Sequence, residues 1–369
     1  MPRPAGQLPG AVSLAEVLKL LPDPRARRGI RHGLPGIVAV ALAAVVSGAR
    51  SFAAIGQWAS ELTGAQLAEL GLPRGVAPDA STFRKVMARL DADVLDQLAG
   101  AFIWARTRVE GGRRVIAIDG KTVRGARTAG TAAPHLVSAL DHATGTVLGQ
   151  LATAAKSNEI PAVRTLLAGF DLAGVVVTVD AMHTQADTAV AITGAGGDYV
   201  FTVKANQPGL YAACKGLPWR EVGGHSAVTT GHGRRARRTI KVVAAPAWIT
   251  FPGAAQVAQI RRTTTRAGKK TVEVAYVITS ADYRAAPPAV LAAWVQGHWG
   301  IENRAHWVRD VTYDEDRSQV RTGRAPQVMA TLRNTAISLL RLSGATSIAA
   351  ASRHHAARTE RPVALLLTS

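Results

Sequence analysis

Val115-Ile-Ala-Ile-Asp-Gly-Lys121 is where the chain changes character. Upstream, apolar residues recur with a helical period; here four stand in an unbroken run that stops at a carboxylate. So short a run marks a strand buried on both faces. Val175-Val-Val-Thr-Val-Asp180 repeats the pattern, again ending in an acid. Between them, His135–Leu140 and Thr146–Leu151 read as strands. The turn-forming Asp141-His-Ala-Thr-Gly145 joins them as an antiparallel hairpin. A short helix begins at Pro161, a second spans Thr184–Ile192, and Tyr199–Val203 reads as a fifth strand.

The order β-β-β-α-β-α-β predicts an α/β fold with a ribonuclease H-like mixed sheet. A doubly wound dinucleotide fold would need a helix between all strands and a glycine-rich first turn. No G-x-G-x-x-G follows Ile118. Working outward, residues 1–112 read as a helical N-terminal domain and a candidate DNA-binding element. Ile37–Val46 suits a buried helix ending near Gly48. Asp79 or Ser81 caps a helix presenting Phe83, Val86 and Leu90, and Asp91-Ala-Asp93 separates it from a helix carrying Val94, Leu98 and Phe102. That pair, beside Arg84, Lys85 and Arg89, has the outline of a helix-turn-helix or of an ordinary helical hairpin. Residues 113–204 are the first part of the catalytic domain, and 205–285 a basic β-rich insertion. Helical period resumes over 286–345, with a last helix between Pro326 and Gly344, and 346–369 reads as an Ala-rich tail.

The charge is unevenly distributed. The 369 residues carry 44 Lys and Arg against 25 Asp and Glu, a net +19. Residues 119–204 hold 6 basic and 7 acidic residues, whereas 205–285 hold 13 and 3. The default partner for such an excess is a polyanion, most often nucleic acid. The neutral block would hold acidic chemistry and the basic block phosphates. A single cysteine, Cys214, excludes a disulfide framework and thiolate zinc modules. The longest apolar run, Ile37–Val46, is far short of the ~20 residues of a membrane span. Residues 1–17 lack a compact apolar stretch with a cleavage site, so no leader is expected.

Asp119 and Asp180 each end a buried strand. One such aspartate ordinarily caps a turn, but two at neighbouring strand ends repel unless a cation lies between them. Mg²⁺ suits this arrangement because it takes oxygen ligands and keeps several waters. The third acid is expected from the helix after the insertion, where Glu302 is the only acid before Asp310. His298, Glu302 and His306 share a helix face and would suit zinc, but H-E-x-x-H is missing. Trp294, Trp299 and Trp307 read as core packing, and Asp310–Asp316 as a solvated acidic loop with Arg309 and Arg317 as local partners.

The string His298-Trp-Gly-Ile-Glu-Asn-Arg-Ala-His-Trp-Val-Arg-Asp-Val-Thr-Tyr-Asp-Glu-Asp316 closely resembles that of the H-repeat-associated, ISAs-type insertion-sequence transposases. So do Ala117–Gly125, Val179–Thr184 and Tyr199–Pro208; Leu21–Arg25 and Pro78–Leu90 are similar to that family's N-terminal region. The resemblance spans roughly residues 20–343, with the motifs in order. It implies a DDE nuclease domain with Asp119, Asp180 and Glu302 as catalytic metal ligands, interrupted by a β-rich insertion between the second Asp and the Glu. The wider superfamily's Tyr-x₂-Arg-x₃-Glu-x₆-Lys signature is altered here, with Val295, His298 and Arg309 at its Tyr, Arg and Lys places.

The expected activity is that of an insertion-sequence transposase: two Mg²⁺ ions, with Mn²⁺ as substitute, drive cleavage of element ends and strand transfer. Lys121, Lys204, Arg234, Arg235, Arg237, Arg238 and Arg309 are the candidate DNA contacts. Expected partners are terminal inverted repeats and target DNA, bound by a homodimer in the cytoplasm at the nucleoid, with no membrane. The competing readings are a ribonuclease H-fold nuclease without strand transfer and a non-catalytic DNA-binding descendant of a transposase.

Overall fold

The strands of the computed structural model are β1 (Val115–Thr122), β2 (His135–Asp141), β3 (Val147–Thr153), β4 (Val176–Val179), β5 (Asp198–Val203), β6 (Gly224–Gly231), β7 (Arg234–Ala244), β8 (Gln256–Arg266) and β9 (Lys269–Thr279). The structure describes residues 13–369 except 27, 29, 108, 110, 111, 154–158 and 232. Most of the stretch read for a leader therefore lies outside the described residues. The helices are α1 (Leu14–Leu18), α2 (Leu34–Val46), α3 (Phe52–Ser60), α4 (Gly64–Glu69), α5 (Ala80–Met87), α6 (Ala92–Arg106), α7 (Glu159–Leu167), α8 (Ala186–Gly194), α9 (Pro208–Lys215), α10 (Pro288–His298), α11 (Trp307–Val311), α12 (Ala325–Leu342), α13 (Ile348–Ala356) and α14 (Glu360–Thr368). The order from β1 to β5 is the ribonuclease H-like one expected, in a mixed α/β fold.

Two units are distinguished: Met1–Glu110 with Asp119–Asp171 and Gly300–Ser369, and Gly111–Ile118 with Leu172–Trp299. In the second unit, the buried start of β1 pairs in parallel with β4, from Val115↔Val176 to Ile118↔Val179. Strand β4 pairs in parallel with β5, and β5 meets β9 antiparallel. Strands β9, β8, β7 and β6 continue as an antiparallel meander. Val115, Val176, Val200, Ile240, Ala258 and Val277 form a core with Leu291 of α10. The basic block is thus β-rich, as its strand-like pieces Thr239–Val243, Gln256–Ile260 and Thr271–Ile278 implied, with α9 and β6 as additions that the sequence did not suggest.

In the first unit, β2 and β3 form the expected hairpin; the Asp141 carboxylate accepts from Thr144 N at 2.8 Å, and Gly145 adopts φ +71°. Helix α2 is buried along nearly its whole length. Asp79 and Asp91 cap α5 and α6 through their side chains. Helix α6 packs against β3 and α12 and buries Phe102 and Ile103. A Cβ at Gly100 would collide with the Leu148 carbonyl, so only glycine allows this approach. The N-terminal segment is helical as expected, its helices α1 to α6 fall in this unit, and α6 is committed to its core. The Ala-rich tail is corrected: Ser347 caps α13, and α14 packs against α2 while burying Val363 and Leu366. Apolar residues at helical spacing outweigh the alanine background there.

Candidate metal and catalytic site

Strand β1 places Asp119 and Lys121 two residues apart, hence on one face. Gly120 between them is required by space, because a Cβ there would collide with Glu159 and His135. Those two side chains are buried and 3.1 Å apart. After Gly300 the backbone forms a π turn over Glu302–His306 and continues into α11. Such turns recur at functional sites because they re-aim side chains within a helix.

Asp119, Glu302 and His306 converge, with one ligand atom of each within 4.8 Å of the others. His306 is buried, and its Nδ1 lies 3.1 Å from Glu302 Oε2 and 3.5 Å from Asp119 Oδ2. The carboxylate of Glu302 is 57% exposed and that of Asp119 30%, so the acids open toward solvent above the imidazole. The hydrogen bond from His306 holds the Glu302 carboxyl below the usual range. Donors about 2.1 Å from one ion stand roughly 3–4 Å apart, so this set fits a divalent cation after a small contraction.

Lys121 belongs to the same cluster. Its ammonium lies 2.6 Å from Asp310 Oδ2, and its side chain is only 10% exposed. Burial raises the Asp310 carboxyl while the Lys121 contact opposes that rise. Asp310 was missed as a site neighbour, although it follows Glu302 and His306 at four-residue spacing on one helix face.

Asp180 lies in the second unit at the end of β4, where its carboxylate accepts from Met182 N at 3.1 Å. It therefore serves as a cap. Ile118 and Val179 are a register pair, and Asp119 and Asp180 directly follow them in the chain. His298, also in the second unit, shares a 3.0 Å hydrogen bond with the Thr178 hydroxyl, and burial pulls its pKa down to about 4. The zinc set of His298, Glu302 and His306 is not the group found among the described residues.

The structure removes Arg309 from the candidate DNA contacts. Its side chain is fully buried and reaches Glu315 at 2.7 Å, with Arg333 on the other carboxylate oxygen at 2.8 Å. Burial alone would raise the Glu315 pKa, but the two guanidinium groups hold it well below the carboxylate range. The acidic loop is thus partly a buried ion network, and Arg309 pairs locally because burial demands a counter-ion. Trp299 and Trp307 are 64% and 55% exposed, which corrects their assignment to the core. Lys204 follows β5 and is exposed. Arg234, Arg235, Arg237 and Arg238 all lie on β7. No helix among the described residues is long and apolar enough to cross a membrane.

Residues 110–339 match the family model described as "Transposase DDE domain", and residues 15–103 match "DDE_Tnp_1-associated". "Putative transposase YncI" of Escherichia coli O157:H7 is 30% identical over 346 residues, covering 89% of this chain and 87% of the relative. "H repeat-associated putative transposase YhhI" of Escherichia coli K12 is 32% identical, covering 89% and 90%. Among solved structures, a piggyBac transposase synaptic complex with hairpin DNA is similar with a TM-score of 0.44 and 11% identity, covering 93% of this chain and 75% of that one.

Proposed function

Because the chain belongs to the H-repeat-associated DDE transposase family, we propose that it cuts the ends of a mobile DNA element and joins them to target DNA with Asp119, Asp180 and Glu302 as metal ligands. The observation that carries this reading is the convergence of Asp119 and Glu302, two carboxylates far apart in sequence, on a partly exposed point beside His306. Asp180 is added on its sequence alone, because it ends a buried apolar strand as Asp119 does and stands in the family-like motif Val179–Thr184. His306 orients the Glu302 carboxylate by its hydrogen bond. Exposed Lys204 meets phosphate oxygens, and Lys121 reaches them only by leaving Asp310, its partner at 2.6 Å.

When bound, two Mg²⁺ ions (Mn²⁺ substituting) would activate the attacking hydroxyl and stabilise the leaving oxygen of an in-line displacement. The carboxylates remain ligands throughout. Water attacks the scissile phosphorus and the bond to the 3′ oxygen breaks, leaving a 3′-hydroxyl and a 5′-phosphate. The freed 3′-hydroxyl then attacks a target phosphorus, loses its proton to solvent, and the target's own bond to its 3′ oxygen breaks, releasing a target 3′-hydroxyl. No protein–DNA covalent bond forms. The acting species is a homodimer on DNA, so that two ends are held together, in the cytoplasm at the nucleoid.

The test mixes the full chain with a donor plasmid carrying the inverted repeats that flank its gene and with a target plasmid, with Mg²⁺ or with EDTA. Donor–target joints are expected with Mg²⁺ alone. Cleaved donor ends without joints would reduce the protein to a nuclease.

A further inference from the structure

Alternation along β7 divides the arginine cluster that looks continuous in sequence. Arg235, Arg237, Thr239 and Lys241 point to one face; Arg234, Ala236, Arg238 and Ile240 point to the other. Ala236 and Ile240 are buried, and Ile240 joins the core under α10. The register Thr239↔Arg261 brings a further guanidinium to the first face. That face is the floor of a groove of about 960 Å³, whose opposite wall is the segment 215–221 after α9. Lys215 and Arg220 stand on the wall, and Glu221 is the one acid among the lining residues. The wall is fixed to α9 by the Trp219 indole, which donates to the Cys214 carbonyl at 2.8 Å, and is tied to the floor by the Lys241 ammonium, which donates to the Trp219 carbonyl.

We propose that this groove is a sequence-independent binding site for the phosphate backbone of duplex DNA, which rests on the transposase reading above. Converging guanidinium and ammonium groups, with Thr263 and Thr265 hydroxyls between them, match phosphate oxygens. Trp219 is 7% exposed, so the groove has no indole face open for base stacking, and single strands are not its ligand. On the opposite face Arg262 lies 3.7 Å from Glu273, and Arg238 donates to the Thr229 hydroxyl at 3.0 Å. The four arginines therefore act as two pairs of different use.

The test measures anisotropy of labelled random-sequence duplex with the full chain in EDTA, between about 50 and 200 mM salt. Each phosphate contact contributes about 0.9 to the log–log slope, so Arg235→Ala/Arg237→Ala/Arg261→Ala should reduce it by about 2.7. The other-face triple, Arg234→Ala/Arg238→Ala/Arg262→Ala, should leave it nearly unchanged, and lysine at the three groove positions should restore it. Equal losses from both triples, loss confined to one sequence, or tighter binding of single strands than of duplex would overturn the proposal. Because EDTA removes cleavage from the measurement, these failures leave the nuclease reading standing. Loss of joining with duplex binding intact would do the reverse.

Discussion

Asp96 shows how one side chain can carry a pH dependence for its unit. It is fully buried, and burial pushes its pKa up to about 7, opposed by hydrogen bonds from Thr331, Gln327 and Gln150. A folded-state pKa above the unfolded one means that stability from this group is greatest below the unfolded value near 3.8. It is lost as pH rises through the folded value. Between about pH 4 and 7 the native protein should lose up to about 1.4 kcal/mol per pH unit relative to Asp96→Asn. Melting curves of both proteins across that window check this; a constant difference would contradict it. At this scale sequence singled out Asp119 and Glu302 together, and these two carboxylates converge; the same signal at Asp180 is met by a cap, the ordinary use of an acid at a strand end. It misled for Arg309. Position in a motif says nothing of burial, and burial turns a basic residue from a phosphate contact into a counter-ion.

Among elements, the ties between α6, β3, α11 and α12 are polar as well as apolar. Gln150 of β3 donates to Asp96 at 3.3 Å and accepts from Asn334 of α12 at 2.8 Å. Arg309 of α11 reaches the same Gln150 at 3.3 Å and pairs with Glu315, which also holds Arg333 of α12. Breaking a buried ion pair from one side costs about 3–5 kcal/mol. Arg309→Met should therefore lower the melting temperature by that equivalent and leave the salt slope of DNA binding unchanged. A normal melt with a flatter slope would return Arg309 to the DNA surface. Periodicity revealed β1, β2, β3, β4 and β5 because runs buried on both faces differ sharply from helices. It did not reveal α9, β6, α13 or α14. Strand β6 is exposed along its length and has no apolar signal, α13 hides Ile348 among alanines, and α14 is a run of Val363 to Leu367 too short to show a helical period.

For the whole molecule, charge and chemistry lie in different parts of the chain. The nearly neutral residues 119–204 include two of the three acids, and the basic residues 205–285 form the meander and its groove. That division was readable from composition; the facing of individual arginines was not, because it depends on strand register. The central claim is that the acids serve metal-dependent cleavage. Asp310 holds Lys121 beside the cluster, so exposed Glu61 is the control acid. The decisive measurement is cleavage of inverted-repeat duplex in Mg²⁺ by the native chain, Asp119→Asn, Asp180→Asn, Glu302→Gln and Glu61→Gln, with melting and duplex binding recorded for each. The account predicts that the three acid variants bind and melt like the native chain yet lose cleavage, and that Glu61→Gln retains it. Native-rate cleavage by Glu302→Gln would contradict it.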